Sequence, residues 1–588
     1  MKRFAPSDAD STGETSIETA ERNRGSKRRK ENTRTLGNLT ASGNSRVHYG
    51  DNYYRTSDSC LADLRVTDPR GDKTRIEEDK GGLLPDSSSW ILNHADFLRW
   101  RHDPHSRLLW IKGDPGKGKT MLLITIVNEL ERQLSYRRPV EHAQEQPPDT
   151  LDVSTGALAY FFCQATDSHL RSATAVLRGL IYRLVDERSS LVHHIQNKHK
   201  NAGKSLFEDR NAFQALSDIF VDILKDLGSN TTWIAVDALD ECLEDRDRLL
   251  NLIVRTASSV KWIVSSRNLP EIEKKLRPDN SSLRLSLELK DNAAQVSKAI
   301  GVYIKHKISE LDVLQDDISL RDQVHDILLR KAGDTFLWVA LVFEELENAL
   351  LGDILGVVKN LPLGLERLYK RMIQHIQDLN RKQPKHAKFC LAILSTICLS
   401  YRPLTLLELQ VVVSVVEYSH RDLERIVRMC GSFLNIRESR VYLVHQSAKD
   451  YLTQDEDATA TLFPTGPHAV HRDIFTRSLE AMSDRLRRNI YGLPRPGIAV
   501  DDITSHAPDP DPLAAIGYAC VHWIGHLCEG FNAAFQPDID DGGSMVRFLK
   551  SHFLHWLEAL SILRGISDGI LALKQLETLL QVCQNNKQ

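Results

Sequence analysis

The octapeptide Gly113-Asp114-Pro115-Gly116-Lys117-Gly118-Lys119-Thr120 fits G-x-x-x-x-G-K-[ST], a loop whose backbone amides wrap phosphate groups. It constrains the fold, because such a loop works only between a buried strand and the first turn of a helix. Both neighbours are present. Arg107-Leu108-Leu109-Trp110-Ile111 reads as a strand running into the loop, and Leu122, Ile126, Leu130 and Leu134 recur at helical spacing behind it. Gly113, Gly116 and Gly118 are expected to take positive φ and bring amides close to phosphate oxygens, at a helix N-terminus that favours anions. Lys119 is placed to neutralise β/γ charge. Thr120 is placed to offer its hydroxyl to Mg²⁺, a hard cation that prefers oxygen ligands and substrate phosphates.

A phosphate loop needs a carboxylate at the end of a neighbouring strand. Trp233-Ile234-Ala235-Val236-Asp237 supplies four apolar residues and then Asp237, the Walker B arrangement, which makes Asp237 the second metal-site residue beside Thr120. Asp240 and Glu241 follow, and one of them could polarise an attacking water; the alternative is that they are solvated charges or helix caps. Arg267 stands just beyond the strand Val260 to Ser266, on the sheet edge where ligands bind. It is either a sensor of the γ-phosphate or an ordinary surface arginine.

At 588 residues, with 41% hydrophobic content, the chain has room for several domains of a soluble protein. No apolar run approaches the roughly 18 residues of a membrane span, and the N-terminus has no hydrophobic signal core. Nine scattered cysteines without a C-x-x-C pair read as reduced thiols of an intracellular protein. A net charge of −3 argues against a general nucleic-acid binder, so no specific nucleic-acid partner is expected.

Strands alternating with helices imply a doubly wound parallel sheet, an α/β core over residues 106–290. A basic, polar segment, 1–60, and a helical lead-in, 61–105, precede it. The first fifty residues carry ten Lys/Arg against six Asp/Glu, and Lys27-Arg28-Arg29-Lys30 is a nuclear-import address or a solvated tail. Residues 37–54 repeat Gly-Asn and Gly-Asp steps, as a flexible linker or a cross-β unit would. The lead-in should break at Gly81-Gly82 and Pro85, and 137–152 reads as a polar insertion. Leu283, Leu285, Leu287 and Leu289 alternate as in a half-exposed edge strand. Helices marked by Val296, Ile300, Ile304 and Ile308 fill 291–400. In 401–455 the capping box Thr405-Leu406-Leu407-Glu408 opens a helix, and Phe433 to Ile436 with Val441 to Val444 form a hairpin, together a winged-helix-like unit. The remainder, 456–588, reads as all-helical. Within it Cys520, His522, His526 and Cys528 lie close together, but the two cysteines fall on different faces of an amphipathic helix from the histidine pair, and the group reads as structural.

Asp237-Ala238-Leu239-Asp240-Glu241 resembles the clustered acidic strand end of the NACHT signal-transduction ATPases. Thr67-Asp68-Pro69-Arg70, Gly81-Gly82-Leu83-Leu84, Ala159 to Cys163, Trp262 to Arg267 and Val444 to Leu452 are similar to stretches of fungal NACHT proteins of the vegetative-incompatibility type. That resemblance, in the NOD-like receptor group, implies a switch in non-self recognition, innate immunity or programmed cell death. ADP is held in a closed monomer, ATP exchange follows stimulation, and the chains then self-associate to engage an effector. His445 matches the winged-helix histidine that touches the β-phosphate of ADP in relatives, although it is one of 22 histidines here. Two departures stand out. Gly333-Asp334-Thr335-Phe336-Leu337 lacks the proline that contacts adenine in plant and animal members, and the sequence stops after the helices around Trp556 and Leu557, as either a repeat-less member or a truncated one would. Cytoplasmic placement is expected, with a nuclear alternative. Rival readings are a remodelling or motor ATPase with steady turnover, and a scaffold stabilised by bound nucleotide.

Overall fold

Side chains leave a β-strand on opposite faces at alternate positions, so a strand that is apolar throughout must be covered on both sides. In the computed structural model, β1 (Leu108–Lys112), β2 (Ala157–Phe162), β3 (Thr232–Asp237), β4 (Lys261–Ser266) and β5 (Arg284–Glu288) form one parallel sheet in the order β2-β3-β4-β1-β5. The structure describes residues 59–136, 156–227, 232–277, 284–311, 314, 317–347, 353–413, 418–495, 497–498, 503, 508–531 and 536–585. The basic run at Lys27, the 37–54 stretch, the 137–152 insertion and Leu283 lie outside the described residues.

Leu109, Ile111, Leu158, Tyr160 and Phe162 pack with the phosphate-loop helix Lys119–Tyr136 on one side of the sheet. Leu108, Trp110, Ala157, Ala159 and Phe161 pack on the other, with helices Ala173–Glu187, Ala212–Leu227 and Arg246–Thr256. The doubly wound α/β core is therefore present. β5 has the alternating pattern of an edge, with Leu285 and Leu287 inward.

Strand order corrects one expectation. Asp237 ends β3, but β3 is not the neighbour of the phosphate-loop strand, because β4 lies between β1 and β3. Burial of both faces shows in an apolar run of residues; the choice of partner for each strand edge is made only when distant segments pair. The consequence is functional, since it places the end of β4, with Ser265, Ser266 and Arg267, between the loop and the carboxylate. The order reverses at β1, and that switch point opens a crevice at the carboxyl ends of the strands.

The lead-in helix Pro69–Asp79 is capped by Asp68, whose carboxylate accepts from Arg70 N at 3.0 Å. Gly81 and Gly82 end it in left-handed conformations (φ 86° and 81°), and Pro85 opens the next helix, Pro85–Ser88, as well as closing the break. Beyond β5, helix Ala293–Glu310 buries Val296, Ile300, Ile304 and Ile308. β6 (Leu404–Thr405), β7 (Leu434–Arg437) and β8 (Arg440–Leu443) form an antiparallel sheet beside helices Leu406–Val413 and His420–Met429. The capping box is closed in both directions: Glu408 N donates to Thr405 Oγ1 (3.1 Å) and Thr405 N donates to Glu408 Oε2 (2.9 Å). Glu408 also takes Arg402 bidentately and accepts from Tyr518 N (2.9 Å), fastening the C-terminal helices to this unit.

The C-terminal helices share a further core around Phe475, Trp523, Phe548 and Trp556. His526 commits both ring nitrogens inside it, Nδ1 to His471 (2.8 Å) and Nε2 to the Tyr518 hydroxyl (2.7 Å). That is a packing role.

Candidate nucleotide site

The loop leaves β1 at the switch point. Gly116 (φ 74°) and Gly118 (φ 85°) occupy the left-handed region as expected, but Gly113 does not. Its glycine is required by close approach instead, because a Cβ there would meet Leu289 Cβ at 3.0 Å. A Cβ on Gly116 would lie 2.8 Å from Thr335 Cγ2 and 2.9 Å from Leu337 Cβ. Phe336 N donates to Gly116 O (2.9 Å), and Lys117 Nζ donates to Gly333 O (3.0 Å). The Gly333–Leu337 segment is thus seated directly on the loop. Lys119 Nζ donates to two loop carbonyls, Gly113 O (2.6 Å) and Asp114 O (2.9 Å). Burial holds its pKa below the usual lysine value, against the pull of Asp240 and Asp237.

Asp237 is 2% exposed and accepts hydrogen bonds from the hydroxyls of Ser265 and Thr120. Ala238 N donates to Ser265 Oγ (2.9 Å), which holds the serine in place. Burial keeps Asp237 above the ordinary carboxylate range. A buried carboxylate touching a threonine hydroxyl is a hard oxygen set, so Asp237 and Thr120 fit a Mg²⁺ ion that would draw phosphate oxygens into the crevice. Asp240 and Glu241 are employed differently. Arg267 claims Asp240, with its N at 3.0 Å from Oδ1 and its Nε at 3.0 Å from Oδ2, and also binds Asp450 on helix Gln446–Gln454. Glu241 accepts from Ala165 N (3.0 Å), while burial, and then the Asp240 charge, push it up to about 7.

His445 comes from the other end of the chain. It caps helix Gln446–Gln454: Nδ1 accepts from Ser447 N (3.0 Å) and lies 2.8 Å from Ser447 Oγ. A neutral ring with an accepting Nδ1 carries its proton on Nε2. Burial, then the charges of Lys80, Arg267 and Lys119, hold the pKa well below the usual histidine value, so the ring is neutral. Among the described residues Nε2 has no partner.

Two cavities meet here. One of about 380 Å³ is walled by Trp90, Tyr303, Phe336, Leu337 and Phe343, and reaches Gly116 and Gly118. The other, about 130 Å³, lies between Thr120, Asp237 and Glu241 on one side and Tyr442 to Gln446 on the other. Asp79, Lys80, Asn435, Arg437, Val444 and His445 line both. Of the sequence-predicted residues, Gly116, Lys117, Gly118, Thr120, Asp237, Glu241 and His445 line these cavities, while Lys119 is turned onto the loop carbonyls and Asp240 and Arg267 are paired with each other. Sequence reasoning assigned no role to Lys80, Trp90, Tyr303, Ser265, Arg437 or Asp450. Only Lys80 had an available signal, its place directly before Gly81-Gly82.

A phosphate loop on a parallel sheet, with a buried aspartate two strands away, defines a P-loop nucleotide-binding protein. Comparison narrows the class. The model of the nephrocystin 3 N-terminal family matches residues 86–267, and that of the GPI inositol-deacylase winged helix domain matches 377–462. The vegetative incompatibility protein HET-E-1 of Podospora anserina is 44% identical over 545 residues, which cover 89% of this chain and 38% of that protein. The chain belongs to the NACHT proteins of the fungal vegetative-incompatibility type. It spans well under half the length of that curated relative. The Walker-type ATPase PABY2304 of Pyrococcus abyssi is similar at 14% identity and a TM-score of 0.30, covering 63% of this chain and 95% of its own. PCH-2 of C. elegans is similar at 13% identity and a TM-score of 0.19, covering 51% and 70%. Among the described residues no helix is long and apolar enough to cross a membrane.

Proposed function

We propose that this chain is an ATP/ADP switch, ADP-held when closed and self-associating after ATP exchange, in fungal non-self recognition or regulated cell death. The observation that carries the reading is His445. The residue lines the crevice that also holds the phosphate loop, and its Nε2 is unpartnered among the described residues, so a winged unit far away in sequence can read the nucleotide. A neutral imidazole N–H donating to a phosphate oxygen makes a charge-assisted hydrogen bond that exists only while the parts are closed.

The remaining residues take graded roles. Lys119 and the loop amides grip the phosphates, and Thr120 with Asp237 holds Mg²⁺, which when bound supplies charge neutralisation. Glu241, free of any cation partner among the described residues, is the candidate for polarising water in slow hydrolysis. Asp240 positions Arg267, which senses the γ-phosphate and, through Asp450, reports to the helix that His445 caps.

The test is nucleotide content and assembly together. The purified chain should carry tightly held ADP, and His445→Ala should shift the closed population toward assembly with ATP by about ten- to a hundredfold, the worth of one charge-assisted hydrogen bond. A light-scattering profile identical to that of the unmodified protein removes His445 from the switch, and rapid multiple turnover favours a motor.

A further inference from the structure

We infer that Lys80 is a second lysine of the triphosphate site, delivered by the lead-in helix, and that its ammonium binds the terminal phosphate of ATP. The inference rests on the nucleotide-switch reading above and adds a residue from outside the phosphate-loop core. Lys80 is the C-cap of helix Pro69–Asp79 and is followed at once by Gly81 and Gly82, whose positive φ turns the chain sharply away from it. It lines both cavities.

Its position is set by the smaller cavity, whose wall it shares with Thr120, Asp237, Glu241 and His445; the charges it acts on agree. Lys80 is the foremost cation acting on His445, ahead of Arg267 and Lys119. It also comes before Lys119 among the cations acting on Asp237, and before Arg267 among those acting on Glu241. Lys80 thus lines one cavity with the metal-site carboxylate, the hydrolytic glutamate and the winged-helix histidine. That is where a terminal phosphate lies if Thr120 and Asp237 hold the metal.

The other cations of the site are already engaged. Lys119 donates to Gly113 O and Asp114 O, Lys117 donates to Gly333 O, and Arg267 is held by Asp240 and Asp450. Lys80 Nζ has no hydrogen-bond or ion-pair partner among the described residues, although it faces buried carboxylates. A compact ammonium on a flexible stem suits a phosphate oxygen, which it can follow as a point charge. The rest of the helix is anchored: Lys73 Nζ is bound to Asn128 Oδ1 and Glu131 Oε2 of the phosphate-loop helix, both at 2.7 Å. The last turn also grips the wing, because Arg437 pairs with the Asp79 carboxylate and donates from Nη2 to the Asp79 carbonyl (3.1 Å). A phosphate contact at Lys80 is thus adjacent in the chain to a contact that holds the wing.

The experiment uses the full chain freed of nucleotide and measures affinity, with Mg²⁺, for fluorescent ADP and for a fluorescent ATP analogue with a β,γ-imido bridge. Lys80→Met keeps the stem and removes the charge. It should weaken the triphosphate by about tenfold or more and the diphosphate by less than about twofold, and Lys80→Arg should restore most of the loss. Lys80 is solvent-accessible and bonded to nothing described, so melting curves of all three proteins should coincide. Equal weakening of both nucleotides, or of neither, overturns the assignment. Lys119→Ala separates the two levels of inference. If the unmodified chain binds neither nucleotide, the switch reading itself fails; if it binds both, Lys119→Ala abolishes binding and Lys80→Met does not discriminate, only Lys80 is lost.

Discussion

The phosphate end of the crevice is made of polar groups at three strand ends, Gly113 to Thr120 after β1, Asp237 to Glu241 after β3 and Arg267 after β4. The other end is made of apolar side chains from three helical segments: Trp90 of Ser89–Asn93, Tyr303 of Ala293–Glu310, and Phe336 and Phe343 of Phe336–Leu346. The difference lies in what each end must satisfy. Charge and hydrogen-bond geometry tolerate neither a changed residue type nor a shifted spacing, whereas an apolar wall needs only volume and surface. The segment Gly333 to Leu337, which resembles a proline-bearing stretch of plant and animal members, illustrates it. Here that segment has no proline, yet Phe336 and Leu337 still line the apolar cavity.

The largest test of that contrast is Lys119→Ala. Two charge-assisted hydrogen bonds to phosphate are worth about 1.5–3 kcal/mol each, so nucleotide affinity should fall by on the order of a hundredfold or more. Equilibrium dialysis with ADP reads it, and an unchanged value would place the ligand elsewhere. Gly116→Ala attacks the joint between the ends. The added Cβ would sit within van der Waals distance of Thr335 and Leu337 at a positive φ, which should cost about 1–3 kcal/mol and weaken the seat of the Gly333–Leu337 segment. A lowered melting temperature with reduced affinity is expected; if neither moves, the two ends are not coupled through this glycine.

Titration separates the ends next. With Glu241 at about 7, most of it is protonated at pH 6 and ionised at pH 8, and only the ionised form can take a proton from water. ATP turnover should therefore rise by about tenfold across that interval, and Glu241→Gln should leave a lower, flat profile. A glutamine variant that keeps the rise would assign the titration to another group. The smallest effect is reserved for the apolar wall: Phe336→Leu should cost less than about 1.5 kcal/mol of affinity, shared equally by ADP and ATP. A loss as great as that of Lys119→Ala would erase the distinction between the two ends.

The legible parts were those governed by neighbours in the chain. The strand-loop-helix around Lys119, the alternation of Leu285 and Leu287 and the reciprocal cap of Thr405 and Glu408 all rest on spacings of a few residues. His445 was legible only through its likeness to a known stretch, and nothing in the 22 histidines distinguishes it otherwise. Gly113 shows the opposite case: its glycine was legible, but the reason for it was not, because Leu289 arrives from just past β5, far along the chain.

Short-range rules of φ, periodicity and capping were therefore enough to specify a parallel α/β core, a phosphate grip and a winged unit. They could not specify that β4 separates β1 from β3, that Arg267 binds Asp240 and Asp450, or that Lys80, His445 and Asp237 line one cavity. Those relations depend on which distant surfaces share a boundary. A free energy of contact between remote segments leaves no periodic trace in either of them.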